Sequence, residues 1–405
     1  MSELELTAGQ YKGLELAKRL SKEKRAVGVI CGFAGVGKTT LLKTLAQDMA
    51  IPPLFLTPTG KAASRLTEVT GFRAGTIHRW LYKVEGKAGD SLVFRRKNID
   101  EIAVPESNLV CIDEGSMIQR DVWNDLQEMS AILGFSILIV GDGFQLPPVQ
   151  EKDEPPFSVM EPDFVRPENR VEMTEILRQA KDSAIIRASL ALREGDLEAL
   201  IDLDHVLPEE VDDEMIKADA IICRTNAMRH HLNARCRHLR GYDGDLQPHE
   251  PLLVMKNNYW LGIYNGEVYP FTGWTGDPYS GFAWDFDVKA KVPVSFRRTE
   301  INGAPAILAP QAVIGALDKL GRSVERAAGT QNEKNGFFAH MNYGYALSCW
   351  KAQGSEWPYV LIGLEKFNYS SLEGRRFMYT AITRAQKKVA ITYLPEISQS
   401  VKSKR

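Results

Sequence analysis

Short apolar runs recur along the chain, and longer stretches with the mixed polar and apolar spacing of helices separate them. The runs cover residues 27–31, 53–57, 108–112 and 136–140, and a second series covers 219–223, 359–363 and 388–393. Strands that alternate with helices are typical of parallel sheets, in which functional sites lie at the carboxyl ends of the strands. The pattern therefore predicts an α/β fold with two parallel sheets.

A different pattern interrupts the second series over residues 251–335, where Gly, Pro and aromatic residues become frequent. Between Phe282 and Phe296 every even-numbered position is apolar, and most odd-numbered positions are polar. This alternation predicts β-structure, and we expect an inserted β-barrel-like domain of the SH3 type. A smaller insertion at 83–107 contains the segment 92–98, whose composition predicts a β-hairpin.

These boundaries predict a first domain over residues 1–165 and a second domain assembled from residues 166–250 and 336–405. The chain has 405 residues, of which 44% are hydrophobic and 25% are charged, as is ordinary for a soluble globular protein. No run approaches the roughly 20 apolar residues that a membrane-spanning helix needs. The N-terminus is acidic and polar, unlike a secretory signal. We therefore expect no membrane association and a cytoplasmic location.

Charge and cysteine content limit the classes of function and the kind of thiols that are expected. The net charge of −2 excludes a general binder of polyanions. Residues 194–214 hold ten carboxylates and no Lys or Arg, whereas five arginines lie between residues 224 and 240. Both a groove for nucleic acid and ordinary solvated faces are consistent with this segregation. The five cysteines are scattered and odd in number, which indicates reduced, buried thiols.

The segment Gly32-Phe-Ala-Gly-Val-Gly-Lys-Thr39 matches the phosphate-binding P-loop pattern G-x-x-x-x-G-K-T. It follows an apolar run and precedes a helical pattern, which is the context that the motif requires. Backbone N–H groups of such a loop surround phosphate oxygens at the positive end of a helix dipole. Lys38 is expected to reach the β- and γ-phosphates of ATP, and the Thr39 hydroxyl is expected to bind Mg²⁺. The predicted ATP-binding residues here are Gly32, Ala34, Gly35, Val36, Gly37, Lys38, Thr39 and Thr40.

Two further apolar runs end in polar residues suited to phosphoryl transfer. After the run 108–112, Asp113 is expected to hold Mg²⁺ and Glu114 to polarise the attacking water as general base. After the run 136–140, Gln145 is a candidate sensor of the γ-phosphate, whereas Asp142 is expected to orient the turn. An Asp-Glu pair alone is a weak signal, but a P-loop upstream makes this one specific.

The order of these motifs resembles that of the superfamily 1 DNA helicases of the RecD/Dda branch, and the size and layout are similar to those of bacteriophage Dda proteins. The resemblance runs from about residue 6 to residue 393 and is interrupted by the insertions. It implies two RecA-like P-loop NTPase domains with parallel sheets, the hairpin in the first and the barrel in the second. The matching segments are Leu6 to Gln10, the P-loop, Thr57 to Ala63, Gly75 to His78, Asp113-Glu114, Gly141 to Pro148, Thr174 to Gln179, Tyr345 to Glu356 and Tyr379 to Ala385.

For ATP, the resemblance implies that Arg178 and Arg384 point from the second domain into the cleft. Arginines in that position offset the charge that develops on the transferred phosphoryl group. Gln10 matches a residue that reads adenine, Gly354 belongs to the same nucleotide-binding frame, and Glu356 is expected to accept hydrogen bonds from the ribose. Binding of ATP with Mg²⁺ is then expected to close the two domains, and hydrolysis to let them reopen.

For nucleic acid, the resemblance implies a track that combines phosphate contacts with base stacking. His78 matches a histidine that lies against a base, and Phe94 matches the aromatic residue of a hairpin pin that meets the duplex fork. A packing role is open for both residues. Trp350 replaces the usual histidine before Lys-x-Gln-Gly, so stacking or packing is expected there instead of a polar contact. The predicted DNA-binding residues are Thr59, Lys61, His78, Phe94, Thr225, Ser348 and Trp350.

The leading hypothesis is an ATP-dependent DNA helicase that translocates on single-stranded DNA, with 5′→3′ polarity implied by the resemblance. The alternative is a DNA-dependent ATPase that remodels or displaces proteins on DNA, and only the helicase is expected to depend on Phe94. The expected partners are single-stranded DNA and fork DNA, with single-strand-binding or replisome proteins as further candidates. We expect a functional monomer in the cytoplasm of a bacterial or phage-infected cell.

Overall fold

A computed structural model describes residues 6–88, 91–148, 157–176, 183–242, 244–255, 258, 261–285, 290–308, 339 and 341–393, with their side chains except within 84–94, within 277–297 and at 307. The chain divides into two compact units. The first contains Met1–Glu85, Phe94–Leu200 and Ser370–Thr383, and the second contains Gly86–Val93, Ile201–Tyr369 and Arg384–Arg405.

The first unit is built on a parallel sheet. The strands up to residue 173 are β1 (Val27–Gly32), β2 (Leu54–Thr57), β3 (Ala74–Thr76), β4 (Tyr82–Ala88), β5 (Ser91–Arg96), β6 (Leu109–Ile112), β7 (Ser136–Gly141) and β8 (Arg170–Met173). All but β4 and β5 pair in the order β3-β2-β6-β7-β1-β8, with every pair parallel. The central strands β6 and β7 are buried along their whole length, and such strands need apolar residues at successive positions. The predicted runs in this half coincide with β1, β2, β6 and β7, and the α/β prediction is confirmed.

The helices of this unit follow the strands and supply its core. Up to residue 194 they are α1 (Ala8–Leu20), α2 (Lys38–Asp48), α3 (Gly60–Thr70), α4 (Ile77–Leu81), α5 (Arg120–Leu133) and α6 (Ala184–Glu194). Helix α1 begins with a capping box, in which Thr7 and Gln10 exchange side-chain and backbone hydrogen bonds. Trp80 of α4 and Trp123 of α5 pack with side chains of β1, β2, β6 and β7 in one cluster. The cluster therefore joins these helices to the strands that carry the motifs.

The strands β4 and β5 pair with each other, and this confirms the predicted hairpin, which begins ten residues earlier than the segment 92–98. Near the end of β5, Arg96 donates hydrogen bonds to Asp125 at 3.0 Å and to Glu128 at 2.6 Å, both on α5. The side chain of Phe94 lies outside the described part of the structure. Its role at a duplex fork stays a prediction.

The second unit contains another parallel sheet. Its strands are β9 (Asp204–His205), β10 (Ala220–Cys223), β11 (Pro251–Val254), β12 (Val268–Pro270), β13 (Trp274–Asp285), β14 (Ala290–Ile301), β15 (Ala304–Leu308), β16 (Met341–Tyr343), β17 (Ala346–Ser348), β18 (Trp357–Leu364) and β19 (Ala385–Tyr393). Its helices include α7 (Val211–Lys217), α8 (Asn226–Leu239) and α9 (Cys349–Ala352). The parallel sheet has the order β17-β10-β18-β19-β9, and it confirms the second predicted α/β unit.

The inserted segment forms two antiparallel sheets of three strands, in the orders β12-β11-β16 and β13-β14-β15. The alternating stretch from Phe282 to Phe296 covers parts of β13 and β14, which pair with each other. Because β16 pairs with β11, the inserted structure continues beyond the predicted end at residue 335 as far as Tyr343. Closure of these sheets into an SH3-like barrel stays a prediction.

The unit boundary also differs from the predicted border at residue 165. Strand β8 pairs with β1, so the first unit continues past that border to Leu200. The helix α10 (Leu372–Ile382), which carries most of the last motif, also belongs to the first unit, because it packs against α6. The chain crosses from the first unit to the second between Thr383 and Arg384.

The arginine cluster of residues 224–240 has protein partners in this structure. Arg237 is buried and forms a two-pronged ion pair with Glu250, at 2.7 and 3.2 Å. Arg235 pairs with Asp212 at 2.6 Å, and Arg229 is fully buried. These side chains tie α8 to its neighbours. The structure therefore favours neither a nucleic-acid groove nor a solvated face for this cluster.

All five cysteines are free and buried, which confirms the expectation of buried thiols. Burial raises the pKa of Cys31 to about 11 and that of Cys349 to about 12. Both thiols therefore remain protonated near neutral pH. Among the residues that the structure describes, each helix is too short or too polar to cross a membrane.

A turn of the insertion lies against the motif helix α9. Lys351 of α9 donates to Asn265 Oδ1 at 2.7 Å. The neighbouring Gly266 has a φ of +91°, and a Cβ atom there would lie 3.1 Å from the carbonyl oxygen of Lys351. An alanine at this position would therefore meet both an unfavourable backbone angle and the backbone of α9.

We expect Gly266→Ala to destabilise the protein by about 2–4 kcal/mol, from the left-handed backbone and the displaced carbonyl together. Gly241→Ala is a matched control, because Gly241 has a φ of +70° but no described atom lies within 4 Å of its Cβ position. Urea denaturation of both variants separates the two effects. Equal losses of stability would contradict a tight contact between the turn and α9.

Candidate functional site

The P-loop joins the end of β1 to the start of α2. Gly35 and Gly37 have φ angles of +83° and +84°, a left-handed conformation that glycine adopts at little cost. Lys38 Nζ donates to the carbonyl oxygens of Gly32 at 2.7 Å and Phe33 at 3.0 Å. The loop thus holds its lysine at the N-terminus of a helix, where the helix dipole favours a negative ligand.

Gln10 contacts the P-loop from α1. This side chain is buried, and its Nε2 donates to the carbonyl oxygen of Gly37 at 3.1 Å. Its Oε1 accepts from the N–H of Thr7 at 2.8 Å as part of the capping box. One glutamine therefore fixes both the start of α1 and the end of the loop, and its contact with adenine stays a prediction. The other predicted ATP-binding residues of this region are buried or half-buried, namely Ala34, Val36, Thr39 and Thr40.

The paired carboxylates follow β6, which lies beside β7 in the sheet. Asp113 Oδ1 accepts from the N–H of Glu114 at 2.9 Å, and Asp113 N–H donates to Leu56 at 3.0 Å. Glu114 has a φ of +56° and a ψ of +44°, a conformation that costs a non-glycine residue about 1 kcal/mol. Burial, followed by the charge of Glu114, raises the pKa of Asp113, and Lys38 and Arg65 oppose this shift. A cation bound beside Asp113 would stabilise its ionised form.

Gln145 lies in the turn after β7 and is buried. Its N–H donates to the carbonyl oxygen of Asp142 at 3.3 Å. Its side-chain Oε1 is buried and has no hydrogen-bond partner among the described residues. An amide oxygen accepts hydrogen bonds, so this atom suits a water molecule better than a phosphate oxygen. The predicted role of Gln145 in sensing the γ-phosphate stays a prediction.

Four residues join the P-loop to this turn and to α10, and we call Ala34, Asp142, Arg193 and Tyr379 the P-loop clamp. Asp142 is buried and accepts hydrogen bonds from the hydroxyl of Tyr379 and from Arg193 Nη1, the latter at 2.9 Å. The oxygen of Tyr379 accepts from the N–H of Ala34 at 3.1 Å. The clamp therefore connects three motifs within the first unit.

Sequence reasoning assigned no role to Arg193 or to Tyr379. The guanidinium of Arg193 lies 5.5 Å from the ring of Phe33, 5.3 Å from that of Phe144 and 5.7 Å from that of Tyr379. Tyr379 stood in a motif segment but was not singled out, and its burial next to Asp142 was the missing signal. Arg193 sits in an ordinary amphipathic helix, and no feature of its neighbours in the sequence marks it.

In the second unit, the last two motifs meet. Arg384 is buried, and its Nη1 donates to the carbonyl oxygen of Ser355 at 3.3 Å. This contact places Arg384 beside Gly354 and Glu356, two residues predicted to bind nucleotide. Arg178 lies outside the described residues. The contribution of either arginine to catalysis stays a prediction.

Three predicted DNA contacts of the first unit follow the adjacent strands β2 and β3. Thr59 caps α3 by accepting from the N–H of Ala62 at 3.3 Å, and Lys61 lies in the first turn of the same helix. His78 lies in α4, with its ring 5.4 Å from that of Tyr82. Burial lowers the pKa of His78, which favours the neutral ring near physiological pH. A neutral ring is suited to stacking rather than to an ion pair with phosphate.

In the second unit, the residues that are predicted to contact DNA lie within the folded structure, where they cap a helix or are buried or half-buried. The hydroxyl of Thr225 caps α8 by accepting from Met228 at 3.2 Å and donates to Glu365 Oε2 at 2.9 Å. Donation to a phosphate would require this hydroxyl to leave Glu365. Ser348 is buried at the end of β17, and Trp350 is half-buried in α9. Their contacts with DNA stay predictions.

Two protein families match different parts of the chain. Residues 5–206 match the family model of an AAA domain, and residues 343–392 match that of the UvrD-like helicase C-terminal domain. The two matches follow each other in chain order and together cover more than half of the 405 residues. The first includes the P-loop and the paired carboxylates, and the second includes Arg384.

Individual relatives agree with these matches. The chain is 28% identical over 387 residues to the ATP-dependent RecD2 DNA helicase of Deinococcus radiodurans, a match that covers 88% of this chain and 46% of that protein. It is 27% identical over 197 residues to the ATP-dependent DNA helicase dda of Enterobacteria phage T4, across 47% of this chain and 43% of that protein. The chain thus spans less than half the length of either relative.

The fold is also similar to that of the Pif1 helicase from Bacteroides, solved in complex with ADP-AlF3 and ssDNA. The TM-score is 0.57 at 17% identity, and the match covers 99% of this chain and 98% of that chain. At this identity the likeness concerns the fold alone, and it agrees with the expected RecA-like architecture. Together, the ordered motifs, the family matches and the relatives show that the chain belongs to the superfamily 1 helicases, in the branch of RecD, Dda and Pif1.

Proposed function

We propose that the protein is an ATP-dependent DNA helicase that translocates along single-stranded DNA. The observation that carries the proposal is the order of the candidate residues along the carboxyl ends of the strands in the first sheet. The P-loop, the Gln145 turn and the Asp113-Glu114 pair follow the adjacent strands β1, β7 and β6. The candidate DNA contacts follow the next two strands, β2 and β3. A single rigid sheet would therefore position both ATP chemistry and contacts to the polymer.

The residues around the P-loop fit ATP with Mg²⁺. Lys38 is held by carbonyl oxygens that phosphate oxygens can replace, and the start of α2 offers N–H donors. Mg²⁺ would be held by the Thr39 hydroxyl and the Asp113 carboxylate, and it would offset the charge on the phosphate oxygens. The raised pKa of Asp113 supports this assignment, because a half-buried carboxylate is stabilised by a nearby cation.

The remaining residues supply a base and positive charge. Glu114 would take a proton from the attacking water, and the unpartnered Oε1 of Gln145 would orient the same water. Arg384 and Arg178 would offset the charge that develops on the transferred phosphoryl group. Closure of the two domains as the motor stroke is part of this proposal.

Several features support single-stranded DNA as the polymer. Lys61 supplies a positive charge near the carboxyl end of β2, and the neutral ring of His78 supplies a stacking surface. Single-strand binding requires these two features. The relatives from Deinococcus and phage T4 bear the name of ATP-dependent DNA helicases. We infer 5′→3′ movement from the branch alone. Fork DNA and single-strand-binding or replisome proteins are further proposed partners.

The proposal predicts that single-stranded DNA stimulates ATP hydrolysis several-fold, whereas RNA and buffer alone do so much less. Steady-state ATPase assays with the full chain and oligonucleotides of equal length would measure this. A 5′-tailed duplex should be unwound faster than a 3′-tailed duplex of the same sequence. An ATP hydrolysis rate that is the same with and without nucleic acid would contradict the proposal. DNA-stimulated hydrolysis without duplex unwinding would favour the alternative function, remodelling of proteins on DNA.

A further inference from the structure

The P-loop clamp holds one peptide group of the P-loop at both of its ends. The N–H of Ala34 donates to Tyr379, and the carbonyl oxygen of the same peptide, which belongs to Phe33, accepts from Lys38 Nζ at 3.0 Å. Since a peptide group is planar, fixing its N–H also fixes the direction of its carbonyl. The hydroxyl of Tyr379 therefore orients one of the two carbonyl oxygens that hold Lys38.

The chemistry of the clamp keeps this arrangement in one state. Burial and the neighbouring Asp142 raise the pKa of Tyr379 well above its usual value, so the hydroxyl stays protonated. Its hydrogen is donated to Asp142, and its oxygen is left to accept from Ala34. Asp142 is only 1% exposed, and its charge is balanced by Arg193 and by the N–H of Phe144 at 3.0 Å. Hydrogen bonds in such a buried chain strengthen one another.

We propose that Tyr379 is a positioning residue for ATP, which sets nucleotide affinity by pre-orienting the Phe33–Ala34 peptide and Lys38. Arg193 supports it by holding Asp142 in place and by packing against the ring of Phe33. The inference rests on the proposed function only in that the P-loop must bind a nucleotide. In the ATP complex the phosphate oxygens would replace the Phe33 carbonyl as the partner of Lys38, so loss of the clamp affects binding and leaves the chemical step unchanged.

The test is Tyr379→Phe, which keeps the buried ring and removes the hydroxyl. The Kd for a fluorescent ATP analogue with Mg²⁺, and the KM for ATP, should both rise roughly three- to ten-fold, as expected for one lost buried hydrogen bond. The kcat at saturating ATP should stay within about two-fold, because a ground-state contact does not change the barrier from the bound state. Affinity for single-stranded DNA without nucleotide should not change.

Tyr359→Phe is the matched control. Tyr359 is half-buried in the second unit and donates its hydroxyl to a carboxylate, Glu214, as Tyr379 does to Asp142. It should leave the Kd, KM and kcat for ATP unchanged. A general loss of stability would lower the activity of both variants, whereas the clamp predicts an effect for Tyr379 alone.

Arg193 provides a second test that does not alter the buried tyrosine. Its side chain is 28% exposed, so Arg193→Met is expected to fold and to raise the Kd, with Arg193→Lys restoring part of the affinity. If the Kd of Tyr379→Phe or Arg193→Met for the ATP analogue lay within two-fold of the parent value, the proposed role of the clamp in nucleotide binding would be overturned. Absence of hydrolysis in the parent chain would instead refute the proposed function, while the Kd measurements would still test the clamp.

Discussion

Replacing Lys38 by alanine is expected to abolish ATP turnover and to leave binding of single-stranded DNA largely intact. Lys38 is the one cationic residue of the P-loop, residues 32–39. At the start of α2 it donates hydrogen bonds to the carbonyl oxygens of Gly32 and Phe33. Removing such a preorganised donor to a transferring phosphoryl group lowers kcat by about 10²–10³-fold or more. The DNA candidates follow other strands, so the loss should not extend to them.

Lys43→Ala is the matched control for this variant, because Lys43 lies on the same helix and is exposed. It should retain the turnover of the parent chain. Hydrolysis is measured at saturating ATP and DNA, and DNA affinity by fluorescence anisotropy without nucleotide. A Lys38→Ala variant that retains more than a tenth of the parent rate would show that the nucleotide binds elsewhere.

The central sheets were predictable because burial leaves a strong local signal. Strands β6 and β7 are covered on both faces, so nearly every residue in them is apolar and the runs are visible without knowledge of the fold. The P-loop was predictable for a different reason, since its backbone angles at Gly35 and Gly37 restrict the residue type. In both cases the constraint acts on residues that lie close together in the sequence.

The unit boundary and the clamp were not predictable, because their causes lie far apart in the sequence. Strand β8 has four residues, and only its pairing with β1 assigns it to the first sheet. The contact between Tyr379 and Asp142 joins residues separated by 237 positions. The arginines of α8 show the same limit, because the partner of Arg237 is a buried glutamate, Glu250, which lies 13 residues away just before β11. Charge patterning alone cannot separate such a pair from a surface for nucleic acid.

The second large effect is expected for Glu114→Gln, which should nearly abolish hydrolysis while ATP still binds. A glutamine has the size of glutamate but cannot take a proton from water, and the loss of a general base lowers the rate by about 10²–10⁴-fold. The left-handed backbone at position 114 costs glutamine no more than glutamate, so stability should not change. ATP and DNA should therefore remain bound together for longer than in the parent chain.

Glu106→Gln is a suitable control, since Glu106 is exposed in the segment before β6 and makes the same change of charge. Single-turnover hydrolysis measures the chemical step, and retention of labelled ATP after rapid gel filtration measures trapping. If Glu114→Gln hydrolysed ATP within ten-fold of the parent rate, the base would have to be another group.

Asp113 would be a poor substitute, because a carboxylate that holds Mg²⁺ has its lone pairs directed at the metal. The unpartnered oxygen of Gln145 would orient water under the proposal, but an amide does not remove a proton at neutral pH. Glu114 is therefore the carboxylate on which the proposed hydrolysis depends.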